Sequence, residues 1–207
     1  MSRLAGERAE VARLLDEART GDERAFRRLV DRIHQRLFRW ALVVTGDRDL
    51  ADDATQEALI RVHANLDRYR GHGSPFSWLY RITANTAATT LRQARVRPGN
   101  LERSPVEHVA AGLAGAIADG EDPTDGVVGR LYADRITRMV GDAFNGLAPR
   151  QRVIFDLVDL QGFEPVEVAE MLDMNPSTVR ANLLKARRNV RARILELHPE
   201  LEGGYRR

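Results

Sequence analysis

The chain contains no cysteine at all and only one lysine, Lys185, among its 32 basic residues. Absence of cysteine excludes disulfides, thiolate zinc sites, iron–sulfur clusters, a cysteine nucleophile and thiol redox sensing. Histidine is scarce: His34, His63, His72, His108 and His198 never fall at i, i+4, so no HExxH-type metal pair exists. No apolar run approaches the roughly 18–20 residues of a membrane span. The first residues, MSRLAGERAEVARLLDEART, are charged throughout and lack the apolar core of a secretory signal. An excess of one charge is missing too: 32 basic side chains face 30 acidic ones, a formal net charge of +2, so bulk electrostatics does not mark a nucleic-acid binder. With 43% hydrophobic residues the chain is too apolar for a disordered protein, and 207 residues suffice for one large domain or two small ones. These exclusions leave a soluble, cytoplasmic protein with no membrane insertion of its own.

What is present is helical periodicity. After Asp22, a plausible N-cap, apolar residues recur at Phe26, Leu29, Val30, Ile33, Leu37, Trp40, Ala41 and Val44, up to a stop at Gly46. A second helix fits Asp49 to about Leu66, with Leu50, Ala54, Leu59, Val62 and Leu66 inward. Ser74 then caps a third helix with Pro75 at its first position, running to about Arg92 on the stripe Phe76, Leu79, Ile82, Thr86 and Leu91. A short leading helix fits Glu7 to Arg19. Between Gly99 and Gly129 the pattern breaks: Glu102, Glu107, Asp119, Glu121, Asp122 and Asp125 face Arg103 alone, in a Gly-, Pro- and Ala-rich stretch. So long a segment without periodicity is uncommon inside one compact domain. Helical signals return at Leu131–Phe144, from Pro149 to Gly162, at Pro165–Leu172 and at Pro176–Leu197. The expected architecture is all-α, with two small helical domains (1–97 and 130–207) joined by a long, acidic, flexible linker (98–129). No strand pattern and no internal repeat is visible.

The strongest signal is FEPVEVAEMLDMNPSTVRANLLKARRNVRARI. A short helix, a tight turn at Asp173–Asn175 and an amphipathic second helix make a helix-turn-helix, with small Ala169 at the crossing and Leu172 and Val179 flanking the turn. From Ser177 to Leu195 the second helix carries Arg180, Lys185, Arg187, Arg188, Arg191 and Arg193 and no acid. A neutral chain that gathers its positive charge on one element shows the footprint of duplex binding. Ser177 and Thr178 are placed to cap the helix or meet phosphate. Arg180 and Asn182 project from the first turns, where Arg pairs with guanine and Asn with adenine. Lys185, Arg187 and Arg188 are then phosphate contacts. The bland alternative is a surface helix with solvated arginines.

A second constellation surrounds Arg70-Gly71-His72-Gly73-Ser74. Tyr69, Phe76, Trp78 and Tyr80 are interleaved with Arg68, Arg70, Arg81, Arg92, Arg95 and Arg97. Aromatic faces with arginines suit unpaired bases, through stacking and phosphate neutralisation, and the glycines permit close backbone approach. Some of these aromatics have to be core, since Phe76, Leu79 and Ile82 share a face. A third patch, Asp47, Asp49, Asp52, Asp53 and Glu57, sits at a helix start, where acids favour the helix dipole or meet a basic partner. No nucleophile–base pair, phosphate loop, metal cluster or cofactor motif is legible, so no enzymatic site is expected.

In order and spacing, the blocks GDERAFRRLV, DLADDATQEALIRVHANLDRYRG, SPFSWLYRITANTA and LAPRQRVIFDLVDLQGFEPVEVAEML…STVRANLLKARRNVR resemble the extracytoplasmic-function (ECF) sigma factors of bacteria, over about Gly21 to Arg193. The resemblance implies a factor that binds core RNA polymerase and directs it to promoters. Its N-terminal domain would melt and read the −10 element, and its C-terminal domain would read the −35 element as duplex. It further implies that Asp53, Gln56, Glu57 and Arg61 grip the coiled coil of the polymerase's largest subunit. The loop Arg70–Ser74 would hold an extruded base, with Asn85 nearby, the linker would thread into the polymerase cleft, and an anti-sigma factor would be a partner. The sequence departs from the family pattern at His63, at Asp173, which stands for a turn glycine, and at Asn182 and Leu184, which stand for residues usually basic or histidine. The runner-up reading, a stand-alone helix-turn-helix regulator, accounts for the C-terminal half and leaves the aromatic–basic loop and DATQEALIRV without a role.

Overall fold

The computed structural model describes residues 3–71, 73–96 and 141–199. The acidic stretch 98–129, most of the expected Leu131–Phe144 helix and His72 lie outside the described residues; 141–145 is helical. No strand occurs among the described residues.

Four helices form the N-terminal half: α1 (Arg3–Arg19), α2 (Glu23–Thr45), α3 (Arg48–Ala64) and α4 (Pro75–Val96), with a 3₁₀ turn at Leu66–Arg68. Asp22 starts α2 as expected, its carboxylate accepting from the backbone N–H of Arg24 at 2.8 Å and Ala25 at 3.1 Å. Those two bonds hold its carboxyl below the usual carboxylate range. Gly46 ends the helix at φ 68°, its N–H on the Leu42 carbonyl. Leu29, Ile33, Leu37 and Trp40 of α2 form the core with Val11, Leu14 and Leu15 of α1 and Phe76 and Leu79 of α4.

Helix α3 departs from the sequence pattern. Its buried residues are Ala51, Ala54, Thr55, Ala58 and Val62, whereas Leu50 and Leu59 are only half-buried. The helix packs against both α2 and α4, and an inner face of alanines lets three backbones approach closely. Helix α4 runs past the expected Arg92 to Val96. Buried Thr83 and Thr86 are tolerated on it because their hydroxyls donate to the carbonyls of Leu79 and Ile82, at 2.9 and 2.8 Å.

The C-terminal half contains α5 (Pro149–Phe155), a π turn (Asp156–Leu160), α6 (Pro165–Leu172) and α7 (Pro176–Leu197). The pattern from Pro149 to Gly162 had suggested one regular helix; after Phe155 it widens into the π turn and stops at Gly162, φ 76°. Its core is Phe144, Ile154, Leu157, Phe163, Val168, Met171, Val179, Leu183 and Ala186. Asp173 turns the chain between α6 and α7 at φ 52°, the only non-glycine among the described residues in the left-handed region. The two halves touch: α6 lies on α4 and α5 on α2. Phe163 meets Phe76 edge-on at 5.7 Å, with the Arg36 guanidinium 4.7 Å from the Phe76 ring centre.

Candidate nucleic-acid interface

Helix α7 is held by its apolar stripe. Val179, Leu183, Ala186 and Val190 are buried and Ile194 is partly so. At 100° per residue, the opposite face carries Ser177, Ala181, Leu184, Lys185 and Arg188, and all five are exposed. Arg180 flanks this face and is exposed as well. Arg180, Lys185 and Arg188 form no ion pair among the described residues, so their charge is available outward.

Three of the expected residues on this helix, Ser177, Asn182 and Arg187, are engaged in hydrogen bonds within the protein. Asn175, not Ser177 or Thr178, is the N-cap; its Oδ1 accepts the Ser177 N–H at 2.9 Å and the Ser177 hydroxyl at 2.8 Å. Thr178 stays exposed beside it, and its carbonyl accepts from the Asn182 amide at 2.8 Å. Asn182 is thus half-buried, with one amide hydrogen committed within the helix. Arg187 turns away to Asp159 of the π turn, at 2.9 and 2.5 Å. Leu184 is a residue the sequence did not single out as a reader: it is 71% exposed, in the middle of the basic face. Its signal was present, as an apolar residue off the buried stripe with Ala181 one turn before it and Arg188 one turn after.

The aromatic set divides. Tyr69, Phe76 and Tyr80 are buried, which leaves only Trp78 half-exposed. Tyr69 backs the Trp78 ring at 5.3 Å and an interplanar angle of 51°. Burial pushes the Tyr69 phenol up from its ordinary value. Trp78, Ile82, Asn85, Arg61, Asn65 and Arg68 line a shallow groove of about 280 Å³. In the loop between Tyr69 and α4, Arg70, Gly71 and Gly73 are exposed. Gly71 and Gly73 sit at φ 69° and 81°, and a Cβ on either would meet nothing within 4 Å. The left-handed backbone, rather than crowding, is what demands glycine there. Ser74 is half-buried, its carbonyl accepting the Ser77 N–H at 3.0 Å as α4 begins. Arg81 is exposed and leans back on the Ser77 carbonyl at 3.4 Å.

On α3, Asp53, Gln56, Glu57 and Arg61 share an exposed face. The Arg61 guanidinium bonds Glu57 at 2.7 Å. Ile60, 64% exposed, adds an apolar point the sequence reading passed over. Asp47 accounts for part of the neighbouring acidic patch, since its carboxylate caps the helix through the Leu50 N–H at 3.0 Å. Among the described residues no three His, Asp or Glu side chains are grouped to hold a metal ion, and no helix is long and apolar enough to cross a membrane.

Comparison with known proteins agrees with this layout. Residues 29–97 match the family model of sigma-70 region 2, and residues 137–190 match that of sigma-70 region 4. The chain is 26% identical to an ECF RNA polymerase sigma-E factor of Haemophilus influenzae, over 89% of this chain and 95% of that protein. It is 28% identical to the ECF RNA polymerase sigma-E factor of Escherichia coli K12, over 84% and 88%. The fold is similar to that of CnrH in complex with the cytosolic domain of CnrY (TM-score 0.61, 21% identity, 91% of this chain and 99% of that one). It is also similar to the sigma factor RpoE in complex with the anti-sigma factor NepR from Bartonella quintana (TM-score 0.59, 18% identity, 84% and 98%). A region 2 bundle and a region 4 helix-turn-helix, in that order and with full-length relatives of one kind, place the chain in the sigma-70 family as an ECF alternative sigma factor, a transcription initiation factor.

Proposed function

We propose that the protein divides promoter recognition between its two halves, residues 130–207 reading the −35 element as duplex and residues 1–97 holding core polymerase and reading the −10 element, with 98–129 as the connector. The observation that supports this reading is that the described residues present two polar surfaces of different shape, an exposed basic helix face and a groove with one half-exposed tryptophan. The α7 face is a convex basic ridge suited to a major groove, with Arg180, Lys185 and Arg188 exposed. The groove at Trp78 is an aromatic-floored recess rimmed by Arg61, Arg68 and Asn85, suited to a single unstacked base. Tyr69 supports the Trp78 ring from behind, the loop formed in sequence by Arg70, Gly71, His72, Gly73 and Ser74 is assigned to holding the extruded base, and Arg81 neutralises phosphate. Ser177 and Thr178 meet the −35 backbone, and Asn182 joins Arg180 at base edges once its internal bond is released. Asp53, Gln56, Glu57 and Arg61, with Ile60 at their centre, form the core polymerase contact. The RpoE structure holds an anti-sigma factor, and a partner of that class is proposed for this chain.

Run-off transcription with purified core polymerase tests the proposal. Transcripts from a matched promoter require both components, and the isolated protein binds duplex weakly at physiological salt because few phosphates are neutralised. Tight specific duplex binding by the isolated protein, with no core-dependent transcript, would favour a stand-alone regulator.

A further inference from the structure

Lys185 is the only lysine in a chain whose other basic side chains are all arginine. It lies near the middle of α7, exposed, on the face opposite the buried stripe Val179, Leu183, Ala186 and Val190. Its neighbours one turn away are Ala181 and Arg188, both exposed. From Ser177 to Leu195 the helix carries no carboxylate, and Lys185 forms no ion pair among the described residues. Arg187 next to Arg188 differs, since it reaches back to Asp159 at 2.9 Å.

This placement has a chemical consequence. An amine that loses its proton is a nucleophile, whereas a guanidinium stays protonated and is not. The chain has no cysteine to compete, and hydroxyls are weak nucleophiles unless a base activates them. An activated acyl group that reaches the protein therefore finds one side-chain amine, and that amine stands on the basic ridge. The surroundings also favour a particular donor. A cationic ridge raises the local concentration of anions, and the Arg188 guanidinium, three residues on and unpaired, offers a fork that binds phosphate. The same surface that suits a DNA phosphate suits the phosphate of an acyl donor.

We propose that Lys185 is an acylation site for phosphate-bearing acyl donors, an acyl phosphate or an acyl-CoA thioester, and that its modification turns down duplex binding. The inference rests on the −35 reading of α7 given above. The Lys185 nitrogen attacks the acyl carbon, an N–C bond forms, and the C–O bond to phosphate or the C–S bond to coenzyme A breaks. The ammonium gives up two protons, one to the leaving group and one to water. The product is a neutral amide. It removes one of the outward cations of α7 and leaves the buried stripe untouched, so the helix keeps its fold while its charge falls. A lost phosphate contact lowers the salt slope by about 0.9, which at ~0.15 M salt is about fivefold in affinity.

The full chain is treated with acetyl phosphate in one arm and acetyl-CoA in the other, and peptide mass spectrometry reads occupancy at Lys185. Modification in either arm is expected, and the arm that reacts identifies the donor class. It is several-fold slower in Arg188→Ala, and −35 duplex protects Lys185 in the holoenzyme. The acetylated protein, assembled with core polymerase, binds a −35 fragment about fivefold more weakly at ~0.15 M salt, with the slope lowered by about 0.9. Lys185→Arg keeps the charge and cannot be acylated; whatever its own affinity, it is the same before and after treatment, which sets aside the chain's α-amino group. A Lys185 that neither donor modifies in the folded chain, or an acetylated protein with the affinity and slope of the untreated one, overturns the proposal. An untreated holoenzyme that shows no preference for any −35 fragment overturns the duplex reading itself, and the acylation switch with it.

Discussion

Arg187 is bound to Asp159, its Nη2 2.5 Å and its Nε 2.9 Å from the two carboxylate oxygens. The pair ties α7 to the π turn and removes one of six cations from the helix's outward charge. Such a partly exposed pair contributes at most about 1 kcal/mol. Arg187→Ala is therefore expected to lower the melting temperature slightly and to leave the salt dependence of −35 binding nearly unchanged. Arg188→Ala, on the outward face, is expected to weaken all sequences alike and lower the salt slope by about 0.9 for a lost phosphate contact. Holoenzyme binding to −35 fragments at several salt concentrations measures both; equal slope changes would place Arg187 on DNA.

Leu184 presents an isolated apolar surface on the basic ridge of α7, between Ala181 and Arg188. The apolar group a major groove offers is the thymine C5-methyl. Replacing thymine by deoxyuridine at one −35 position is expected to reduce holoenzyme affinity by removing that methyl alone. Leu184→Ala is expected to erase the difference. If no position in a thymine-to-uracil scan distinguishes the wild type from Leu184→Ala, the residue is not a reader.

The sequence carried the helices wherever a cap and an apolar stripe coincided. Asp22 and Gly46 bound α2, and Pro165–Leu172 and Pro176–Leu197 are α6 and α7. Over α3 and the turn after it, the pattern placed Ala54, Val62 and Leu66 correctly inside, but it ranked the half-buried Leu50 and Leu59 with them and passed over Ala51 and Ala58, because hydrophobicity favours leucines while close three-helix packing selects alanines. It placed the basic ridge but could not divide the cations, since Arg187 differs from Arg188 only by a partner 28 residues away. It counted Tyr69 and Tyr80 with Trp78, because burial of an aromatic depends on neighbours that periodicity alone does not rank. The contact between the halves was invisible: Arg39, which bonds Asp156, lies 117 residues from it, and nothing local in either half announces the other.

Asp173 occupies the left-handed region at φ 52°, where an L-residue is strained and glycine is not. Asp173→Gly is expected to stabilise the C-terminal half by about 0.5–1 kcal/mol. Promoter preference should stay unchanged, since the turn angle is kept. Thermal melting with a run-off assay in parallel checks both; a loss of stability would mean that the Asp173 side chain holds the turn.

Tyr80 is 5% exposed, and burial, with the nearby charge of Asp156, pushes its phenol above its ordinary value. The unfolded phenol titrates near pH ~10. A group whose folded value is raised contributes stability that is fully present below the unfolded value and is lost as pH rises beyond it. Unfolding free energy should therefore fall steeply above pH ~10, and Tyr80→Phe should flatten that fall. Denaturant melts between neutral and alkaline pH, with tyrosinate absorbance followed in parallel, measure the effect; identical slopes in both proteins would contradict it.

Trp78 and Tyr69 are in contact at 5.3 Å, yet only Trp78 reaches the groove, so substitutions at the two should separate platform from support. An extruded base costs a few kcal/mol to unstack, and stacking on an aromatic ring returns roughly 1–3 kcal/mol. Trp78→Ala is expected to slow promoter opening by an amount in that range while leaving −35 fragment binding intact. Asn85→Ala should change which −10 base is preferred, because its exposed amide is the hydrogen-bonding side chain across the groove from Arg61 and Arg68. Tyr69→Phe keeps the buried ring and should change neither. Permanganate footprinting of the open complex, with selection from a randomised −10 library, reads opening and preference separately. If Trp78→Ala opens promoters at the wild-type rate, the groove is a surface feature and the base is held elsewhere along α4.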